Sequence, residues 1–308
     1  MNRRTVRVGT RGSALAIEQT EEVVSTLRKA WPEAEFEIVR ITPEGDRRKS
    51  APLLSLERGA FAKGVEEWLL DGRIDMAVHS AKDMPTTLPE GLVIAAYPKR
   101  KDARDLLVNR LNVGFFELQM GARLGTSSPR RSGQLLAARS DIQIVPIRGN
   151  VDTRIARVGD DDLDGVVLAA AGLERLGRIA EATEILDPDL CLPDVGQGAL
   201  AVETRVGDDQ MLEMIGVVNH APTWAAVSAE RAFVDFIGGG CRVPVAAYAV
   251  PKGGNLHIDT MACLPDGSQV YRKRLEATAS DVESAGRKAA RSLMETGADS
   301  IVYGERGL

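Results

Sequence analysis

Cysteine, histidine and lysine are all scarce in this 308-residue chain, and each scarcity narrows the class of protein. Three cysteines form an odd, sparse set and not a disulfide framework, which indicates a reducing compartment. Three histidines, with no Cys-x-x-Cys spacing, do not supply the ligands of a zinc centre, so we predict no metal site. The shortage of lysine is relative, because 30 of the 39 cationic residues are arginines and only 9 are lysines.

Long apolar stretches are also missing from the sequence. No stretch approaches the roughly 18 consecutive apolar residues that a membrane-spanning helix needs. Residues 1–8 (MNRRTVRV) turn polar and charged before any apolar stretch can form, which is not the pattern of a signal peptide. We therefore expect a cytoplasmic protein with no membrane partner.

The charge balance is acidic, with 44 Asp and Glu residues against 39 Lys and Arg and a net charge of −5. Because a nucleic-acid-binding protein needs an extended cationic face, we expect no nucleic-acid partner. The hydrophobic fraction of 44% is typical of a globular protein with an ample core. The arginine excess has two interpretations, coding bias or the binding of carboxylates and phosphates, and composition alone favours coding bias.

The pattern of apolar residues predicts an α/β fold. Short β-type runs alternate with helical stretches over the first two-thirds of the chain, and two such sets indicate two α/β domains that join near Lys99–Asp105. The last part of the chain groups one helix, three β-type runs and a final helix, which predicts a small α+β domain. The predicted helices include Ala14–Ala30, Ala60–Leu70, Pro129–Arg139, Thr223–Phe236 and Ser280–Thr296.

Loops that follow strands are the candidate sites, because open α/β sheets bind ligands at the carboxyl ends of their strands. In the first loop, residues 9–13 (GTRGS), Ser13 suits an N-cap and Arg11 stands beside free N–H groups that would receive an anion. A capped helix with a solvated arginine explains this loop equally well.

In the second loop, residues 79–85 (HSAKDMP), Asp83 beside Lys82 could stabilise a cation or pass a proton. A polar loop with one local ion pair is the alternative there.

A third loop, residues 125–131 (GTSSPRR), gives the strongest signal for an anion. Ser128 suits the N-cap and Pro129 suits the first helical position, where its missing N–H costs nothing. Arg130 and Arg131 stand at the positive end of the helix dipole, which is unfavourable unless an anion compensates. The loop is not a P-loop, since the pattern G-x-x-x-x-G-K-[ST] is missing.

A fourth loop, residues 148–154 (RGNVDTR), lies at another predicted strand-to-helix junction. Residues 123–154 contain six arginines and two acids, a local balance of +4 within an acidic chain. Cationic charge is therefore concentrated in loops where a ligand is expected. Arg175 extends this set, although a surface charge beside Glu174 explains it as well.

The glycine-rich loop 238–244 (GGGCRVP) contains Cys241. Three glycines place the thiol on an accessible loop, and Arg242 favours the thiolate. Cys191 and Cys263, by contrast, fit the common role of a buried, inert thiol. A thiol protease would need a partner histidine and an oxyanion hole, and no motif supplies them.

In their order and spacing these motifs resemble the porphobilinogen deaminase (hydroxymethylbilane synthase) family. The matching stretches are GTR-x-S at 9–13, HS-x-KD-x-P at 79–85, GTSS-x-RR at 125–131, RGNV-x-TR at 148–154, VGQGA at 195–199, AERA at 229–232 and GGC-x-VP at 239–244. The resemblance implies two α/β domains like the lobes of periplasmic binding proteins, followed by a third, α+β domain. The domain bounds that we predict are 1–98 with 199–217, 104–193 and 221–308.

The resemblance also implies an activity. Members of this family are transferases that join four porphobilinogens head to tail, release ammonia at each step and yield hydroxymethylbilane for haem and porphyrin synthesis. The implied cofactor is a dipyrromethane attached to Cys241 by a thioether, and the implied enzyme is a cytoplasmic monomer. Asp83 would stabilise the cation that develops on the pyrrole nitrogen as ammonia leaves. The implied cofactor contacts besides Cys241 are Lys82, Asp83, Thr126, Ser128, Arg130, Arg131, Arg148 and Gly149. The implied substrate contacts are Arg11, Ser13, Arg58, Phe61, Arg148, Arg154, Arg175 and Gln197, the last near the crossing between the domains.

Two positions depart from the family pattern. Arg58 stands where a lysine is usual in the mobile loop, and Pro129 replaces a leucine in the third motif. The alternative function is a non-catalytic, two-lobed binding protein for a small polycarboxylate. Asp83 and the Cys241 loop would have no purpose in such a protein, and a periplasmic binder would carry a signal sequence.

Overall fold

A computed structural model of the protein describes residues 5–42, 59, 62–160, 163–238 and 244–304. The chain divides into two compact units. Unit 1 consists of Met1–Lys101 and Ala199–Val227, and unit 2 consists of Asp102–Gly198 and Ser228–Leu308. Because the C-terminal residues group with unit 2 in this division, the three domain bounds predicted from the sequence stay a prediction.

Thirteen strands and nine α-helices are formed by the described residues. The strands are β1 (Thr5–Arg11), β2 (Glu35–Ile41), β3 (Met76–Ser80), β4 (Leu92–Ala96), β5 (Asp105–Asn109), β6 (Arg123–Gly125), β7 (Gln143–Val145), β8 (Gly165–Ala169), β9 (Glu184–Ile185), β10 (Leu200–Arg205), β11 (Val245–Lys252), β12 (Asn255–Cys263) and β13 (Val270–Thr278). The helices are α1 (Ala14–Ala30), α2 (Lys63–Leu70), α3 (Pro129–Ala138), α4 (Val151–Ile155), α5 (Ala170–Arg175), α6 (Asp209–Gly216), α7 (Ala221–Ile237), α8 (Val282–Leu293) and α9 (Asp299–Gly304).

Unit 1 contains a five-stranded mixed sheet in the order β2-β1-β3-β10-β4. Strand β1 pairs in parallel with β2 and β3, whereas β10 runs antiparallel to β3 and β4. Val6 and Val8 of β1 are buried against Val24 and Leu27 of α1, as the alternation of a strand and the apolar face of a helix require. Because β1 and β3 are parallel neighbours, the loops that follow them lie at the same edge of the sheet.

Unit 2 contains a second five-stranded mixed sheet, in the order β7-β6-β8-β5-β9. Strand β6 pairs in parallel with β7 and β8, and β5 runs antiparallel to β8 and β9. The central strand β8 is buried on both faces, because Val167 packs in one apolar cluster and Val166 and Leu168 pack in another. A continuous apolar run is the sequence pattern expected for such a strand.

The C-terminal part of unit 2 adds a three-stranded antiparallel sheet, β11-β12-β13. Helix α8 packs against β12 and β13 through small residues, since Ala285, Ala289 and Ala290 are all at most 3% exposed. Two α/β sheets followed by a small α+β region confirm the predicted fold class.

Individual elements match the sequence prediction to different degrees. Helix α1 spans the predicted residues without a difference. Helix α8 ends at Leu293, earlier than the predicted Thr296. A π-helical turn, Met294–Ala298, follows it, and Gly297 in this turn has a φ of 96°. This left-handed conformation favours glycine and interrupts the regular helix. Helix α2 begins at Lys63, and the start predicted for it, 60–61, lies outside the described residues. Among the helices that the structure describes, none is both long and apolar enough to cross a membrane.

The contact between α7 and α8 leads to a test of the fold. A Cβ at Gly286 of α8 would lie 2.1 Å from the carbonyl oxygen of Ala229 in α7, so these backbones are in direct contact. We expect Gly286→Ala to lower the free energy of unfolding by about 1–3 kcal/mol, as overpacking does. The matched control is Gly216→Ala in α6, where nothing lies within 4 Å and the higher helix propensity of alanine is neutral or stabilising. Urea unfolding followed by circular dichroism measures both, and equal stabilities of the two variants would contradict this packing.

Candidate functional site

A pocket in unit 1 lies at the carboxyl ends of β1 and β3. Six polar side chains line it, namely Arg11, Ser13, Gln19, His79, Ser80 and Asp83. Ser13 begins α1, because its hydroxyl accepts a hydrogen bond from the Ala16 N–H at 3.2 Å. The predicted N-cap is therefore confirmed.

The loop that carries Asp83 is held from several sides. Directly after β3, residues Ala81–Asp83 form a single 3-10 turn, and the Ala81 N–H donates to the Ala199 carbonyl at 3.0 Å. Ser80 accepts a hydrogen bond from Gln19 of α1 at 2.9 Å. The Asp83 carbonyl accepts from the N–H of Gly59 at 3.0 Å. The Asp83 carboxylate is partly exposed in this fixed loop, and so is the ammonium of the neighbouring Lys82.

A buried cluster behind this pocket was missed by the sequence analysis. Nε2 of His79 lies 3.1 Å from Oε2 of Glu203 in β10, and Glu66 of α2 belongs to the same cluster. Burial, and next the charge of Glu203, raise the pKa of Glu66 to about 7. The available signal was Glu203 itself, a carboxylate directly after the apolar run 199–202 (ALAV).

In unit 2, the third loop leads into α3 with the helix start that the sequence predicts. Ser128 caps α3, since its hydroxyl accepts from the Arg131 N–H at 3.4 Å, and Pro129 occupies the first helical position. Thr126 is buried, and its hydroxyl accepts from the Ser128 N–H at 3.2 Å. Ser127 exchanges hydrogen bonds with Ile147, which ties this loop to the fourth loop.

The side chains of Arg130 and Arg131 lie in the interior of unit 2, where an internal carboxylate meets them. Asp105 of β5 is fully buried and lies 2.8 Å from Arg130 Nη1 and 2.7 Å from Arg131 Nη2. Burial opposes the charge of Asp105, but both guanidinium groups outweigh it and hold the pKa of this carboxyl well below its usual range. The anion that compensates this helix end is therefore part of the protein.

Two further side chains complete the environment of Asp105. Gln197 is 1% exposed and donates to Asp105 Oδ1 at 2.8 Å, so it lies in the interior of unit 2. Cys191 donates its S–H to Oδ2 at 3.3 Å, and burial together with the Asp105 charge raises the pKa of this thiol to about 12. Cys191 is thus an unreactive thiol, as expected.

The fourth loop leads into α4 through a sharp turn. Gly149 has a φ of 105°, and a Cβ there would lie 2.8 Å from the side chain of Thr153. Its carbonyl accepts a hydrogen bond from Arg154 Nε at 2.8 Å. Burial, and next the charge of Arg131, lower the pKa of Arg154 to about 10. Arg148 is exposed at the start of this turn.

Four candidate residues remain, and the structure describes one of them, Arg175. Arg175 is partly buried and donates from Nη2 to the Gly198 carbonyl at 3.1 Å. Arg58, Phe61 and Cys241 lie outside the described residues. Within the described ranges, no group of three or more His, Cys, Asp and Glu side chains could hold a metal ion.

Comparison with known families and proteins gives one consistent result. Residues 6–213 match the family model "Porphobilinogen deaminase, dipyromethane cofactor binding domain", and residues 224–295 match "Porphobilinogen deaminase, C-terminal domain". The chain is 45% identical over 301 residues to the porphobilinogen deaminase of Geobacillus kaustophilus, covering 97% of each chain. It is 45% identical over 300 residues to that of Thermus thermophilus, covering 97% of this chain and 98% of the relative. For the Bacillus subtilis protein of the same name the identity is 43% over 302 residues, with 97% and 96% covered.

Solved structures include a probable amino-acid ABC transporter extracellular-binding protein from Bacillus subtilis. It is 11% identical to this chain, with a TM-score of 0.44, and the match covers 70% of this chain and 90% of that one.

The buried pairing at Asp105 leads to a stability prediction. Asp105→Asn leaves two buried guanidinium groups without their carboxylate, so we expect a loss of about 3–5 kcal/mol in the free energy of unfolding. The matched control is Asp102→Asn, which removes a partly exposed carboxylate 2.6 Å from Arg104. That change is expected to cost about 0–1 kcal/mol. Chemical denaturation measures both, and a similar, small loss for the two variants would contradict the importance of Asp105.

Proposed function

The chain belongs to the porphobilinogen deaminase family, and on this premise we propose that it is itself a porphobilinogen deaminase (hydroxymethylbilane synthase). In this proposal it is a transferase that joins four porphobilinogens head to tail, releases four ammonia molecules and yields hydroxymethylbilane for haem and porphyrin synthesis. It works in the cytoplasm as a monomer, on a small-molecule substrate and without nucleic-acid or membrane partners.

The observation that best supports this proposal is the state of Arg154. Its guanidinium group is partly buried, yet it forms no salt bridge to a carboxylate among the described residues. Burial and the neighbouring Arg131 make its charge unfavourable, as the lowered pKa of about 10 shows. A cation in this state gains most from a ligand carboxylate, because a charge-assisted hydrogen bond contributes about 1.5–3 kcal/mol. Each porphobilinogen carries an acetate and a propionate group.

The substrate carboxylates have further proposed partners. In unit 2 these are Arg148, which is exposed beside the Gly149 turn, and Arg175, which is partly buried. In unit 1, Arg11 and Ser13 line the pocket that also contains Asp83. The first N–H groups of α1 and the forked guanidinium group of Arg11 are both suited to bind a carboxylate. Arg58, Phe61 and Gln197 remain proposed substrate contacts by resemblance, although Gln197 lies in the interior.

The residues present also fit a dipyrromethane cofactor, whose rings carry carboxylates of the same kind. Arg130 has an Nε without a hydrogen-bond partner in the part of the chain that the structure describes, so it retains a donor beside its pairing with Asp105. Ser128 caps the N-terminus of α3, and the turn at Gly149 leads into the N-terminus of α4. We propose that Lys82, Asp83, Thr126, Ser128, Arg130, Arg131, Arg148 and Gly149 contact the cofactor and that Cys241 attaches it through a thioether. When bound, the cofactor supplies the end onto which the first substrate is joined.

Asp83 is the proposed catalytic residue. Departure of ammonia from the aminomethyl group of porphobilinogen leaves positive charge on the pyrrole ring and its nitrogen. A carboxylate fixed opposite the pyrrole N–H stabilises that charge, and electrostatic stabilisation of this kind is usually the largest catalytic contribution. The hydrogen bonds that fix the 81–83 turn give Asp83 the required rigidity.

The intact mass of the purified chain tests the proposed cofactor. From cells that make porphobilinogen, we expect an adduct with the mass of two porphobilinogens less two ammonia molecules. Cys241→Ala should lose the adduct, because no thioether can form. The control Cys263→Ala should keep it, since burial raises the pKa of that thiol to about 11. An unmodified wild-type chain would contradict the proposal.

Turnover of Asp83→Asn tests the proposed catalytic role. Removing the charge while keeping the shape should lower kcat by about 10²–10³-fold, the usual effect of losing one electrostatic stabiliser. The adduct should remain, because Asp83 does not attach the cofactor. The control is Asp71→Asn, an exposed carboxylate of unit 1 that lies 4.0 Å from Arg73. If Asp83→Asn and Asp71→Asn both turned over at the wild-type rate, Asp83 would have no catalytic role.

A further inference from the structure

The buried cluster of unit 1 has a composition that packing does not explain. Glu66, His79 and Glu203 come from three elements, α2, β3 and β10, and are 4%, 7% and 0% exposed. Nε2 of His79 lies 3.1 Å from Oε2 of Glu203. Burying two carboxylates and an imidazole together costs stability unless their charges and hydrogen bonds are satisfied.

The hydrogen bonds of this cluster are incomplete. Oε1 of Glu66 and Oε1 of Glu203 are buried, and neither has a hydrogen-bond partner among the described residues. Two neighbouring buried carboxylates cannot both hold a negative charge at low cost, so at least one of them tends to hold a proton. The raised pKa of Glu66, about 7, agrees with this, because Glu203 contributes to the shift. We therefore expect Glu66 to exchange its proton near neutral pH.

The location of His79 gives this cluster access to the reaction. His79 lines the same pocket as Asp83, and both belong to the motif 79–85, which begins in β3 and continues into the turn after it. The sequence analysis assigned no role to this histidine. An imidazole with a buried carboxylate on one nitrogen is an effective base, because the carboxylate stabilises the imidazolium that forms.

Each ring addition needs a base, and a base separate from Asp83 has an advantage. After the free α-carbon of one pyrrole attacks the cation, that carbon must lose its proton to restore the aromatic ring. A carboxylate that took this proton would lose the negative charge with which it stabilises the next cation. A separate base in the same pocket lets Asp83 remain charged throughout the cycle.

We propose that His79 is this base, with Glu203 as its positioning residue; the inference rests on the proposed function. The C–H bond of the attacking α-carbon breaks, its electron pair returns to the pyrrole ring, and the proton binds to Nδ1 of His79, since Nε2 faces Glu203. The proton then passes to the departed ammonia, which leaves as ammonium. Glu66, in its protonated form, limits the negative charge around the imidazolium, so that His79 can release the proton again.

Charged and titratable groups from several elements lie around Glu66 and His79. Glu66 of α2 and Glu203 of β10 are buried with it, and Glu67 adds a smaller repulsion at Glu66. Asp83 and Arg11 share the pocket that His79 lines. Above about pH 7, ionisation of Glu66 adds a negative charge that holds the proton on the imidazole and slows its release.

The test uses the holoenzyme and porphobilinogen deuterated at the free α-carbon. We expect His79→Asn to lower kcat by about 10²–10⁴-fold, as loss of a general base does, with KM nearly unchanged. Because proton loss then limits the rate, the isotope effect on kcat should rise above that of the wild type. Glu203→Gln should also raise the isotope effect on kcat. It provides the same test if His79→Asn does not fold. The control is His257→Asn, an exposed histidine of β12, which should behave as the wild type.

The pH profile of kcat distinguishes this role from a merely structural one, because a structural role of Glu66 would leave the profile unchanged. The wild-type kcat should decrease above about pH 7, and Glu66→Gln should remove that decrease. A wild-type isotope effect in both His79→Asn and Glu203→Gln, or an unchanged profile in Glu66→Gln, would overturn the inference. Failure of the proposed function is distinguishable, because a wild-type chain would then release no ammonia from porphobilinogen.

Discussion

The pairing of guanidinium groups with carboxylates is the interaction on which this protein depends. At its centre in unit 2 is Asp105, a fully buried carboxylate that binds Arg130 and Arg131 and accepts a further hydrogen bond from Gln197. It connects the first residue of β5 to the N-terminal turn of α3. Two buried cations would be unfavourable without it, so the same contact that neutralises these arginines also fixes the helix that carries Ser128.

Arg154 represents the opposite arrangement, a guanidinium group that the protein leaves without a salt bridge in its described part. Arg130 and Arg131 thus meet an internal carboxylate, whereas Arg154 is the guanidinium group whose carboxylate partner we propose to be a ligand. This division connects the fold with the proposed function, because a growing chain of pyrroles presents many carboxylates and little else for recognition. In unit 1, Asp83 lines the pocket, and we propose for its carboxylate the complementary role of opposing positive charge on the pyrrole ring.

The sequence predicts local features well and long-range partners poorly. The N-caps Ser13 and Ser128 and the full extent of α1 follow from local rules, and the structure confirms them. The need for an anion near Arg130 and Arg131 was also correctly inferred, but the local sequence does not show that Asp105 supplies it. The Glu66–Glu203 cluster was missed for the same reason, since 137 positions separate its members and neither lies in a recognised motif.

The most direct test of this division is the stability of Arg154→Ala without and with porphobilinogen, measured in the Asp83→Asn background, in which we expect slow turnover. Without porphobilinogen, we predict that Arg154→Ala is at least as stable as its Asp83→Asn parent, because a partly buried cation without a salt bridge is removed. With porphobilinogen bound, Arg154→Ala should lose about 1.5–3 kcal/mol in the free energy of unfolding relative to the same parent, since Arg154 is a proposed substrate contact. An equal loss without and with porphobilinogen would show that Arg154 serves the fold alone, and would contradict the account.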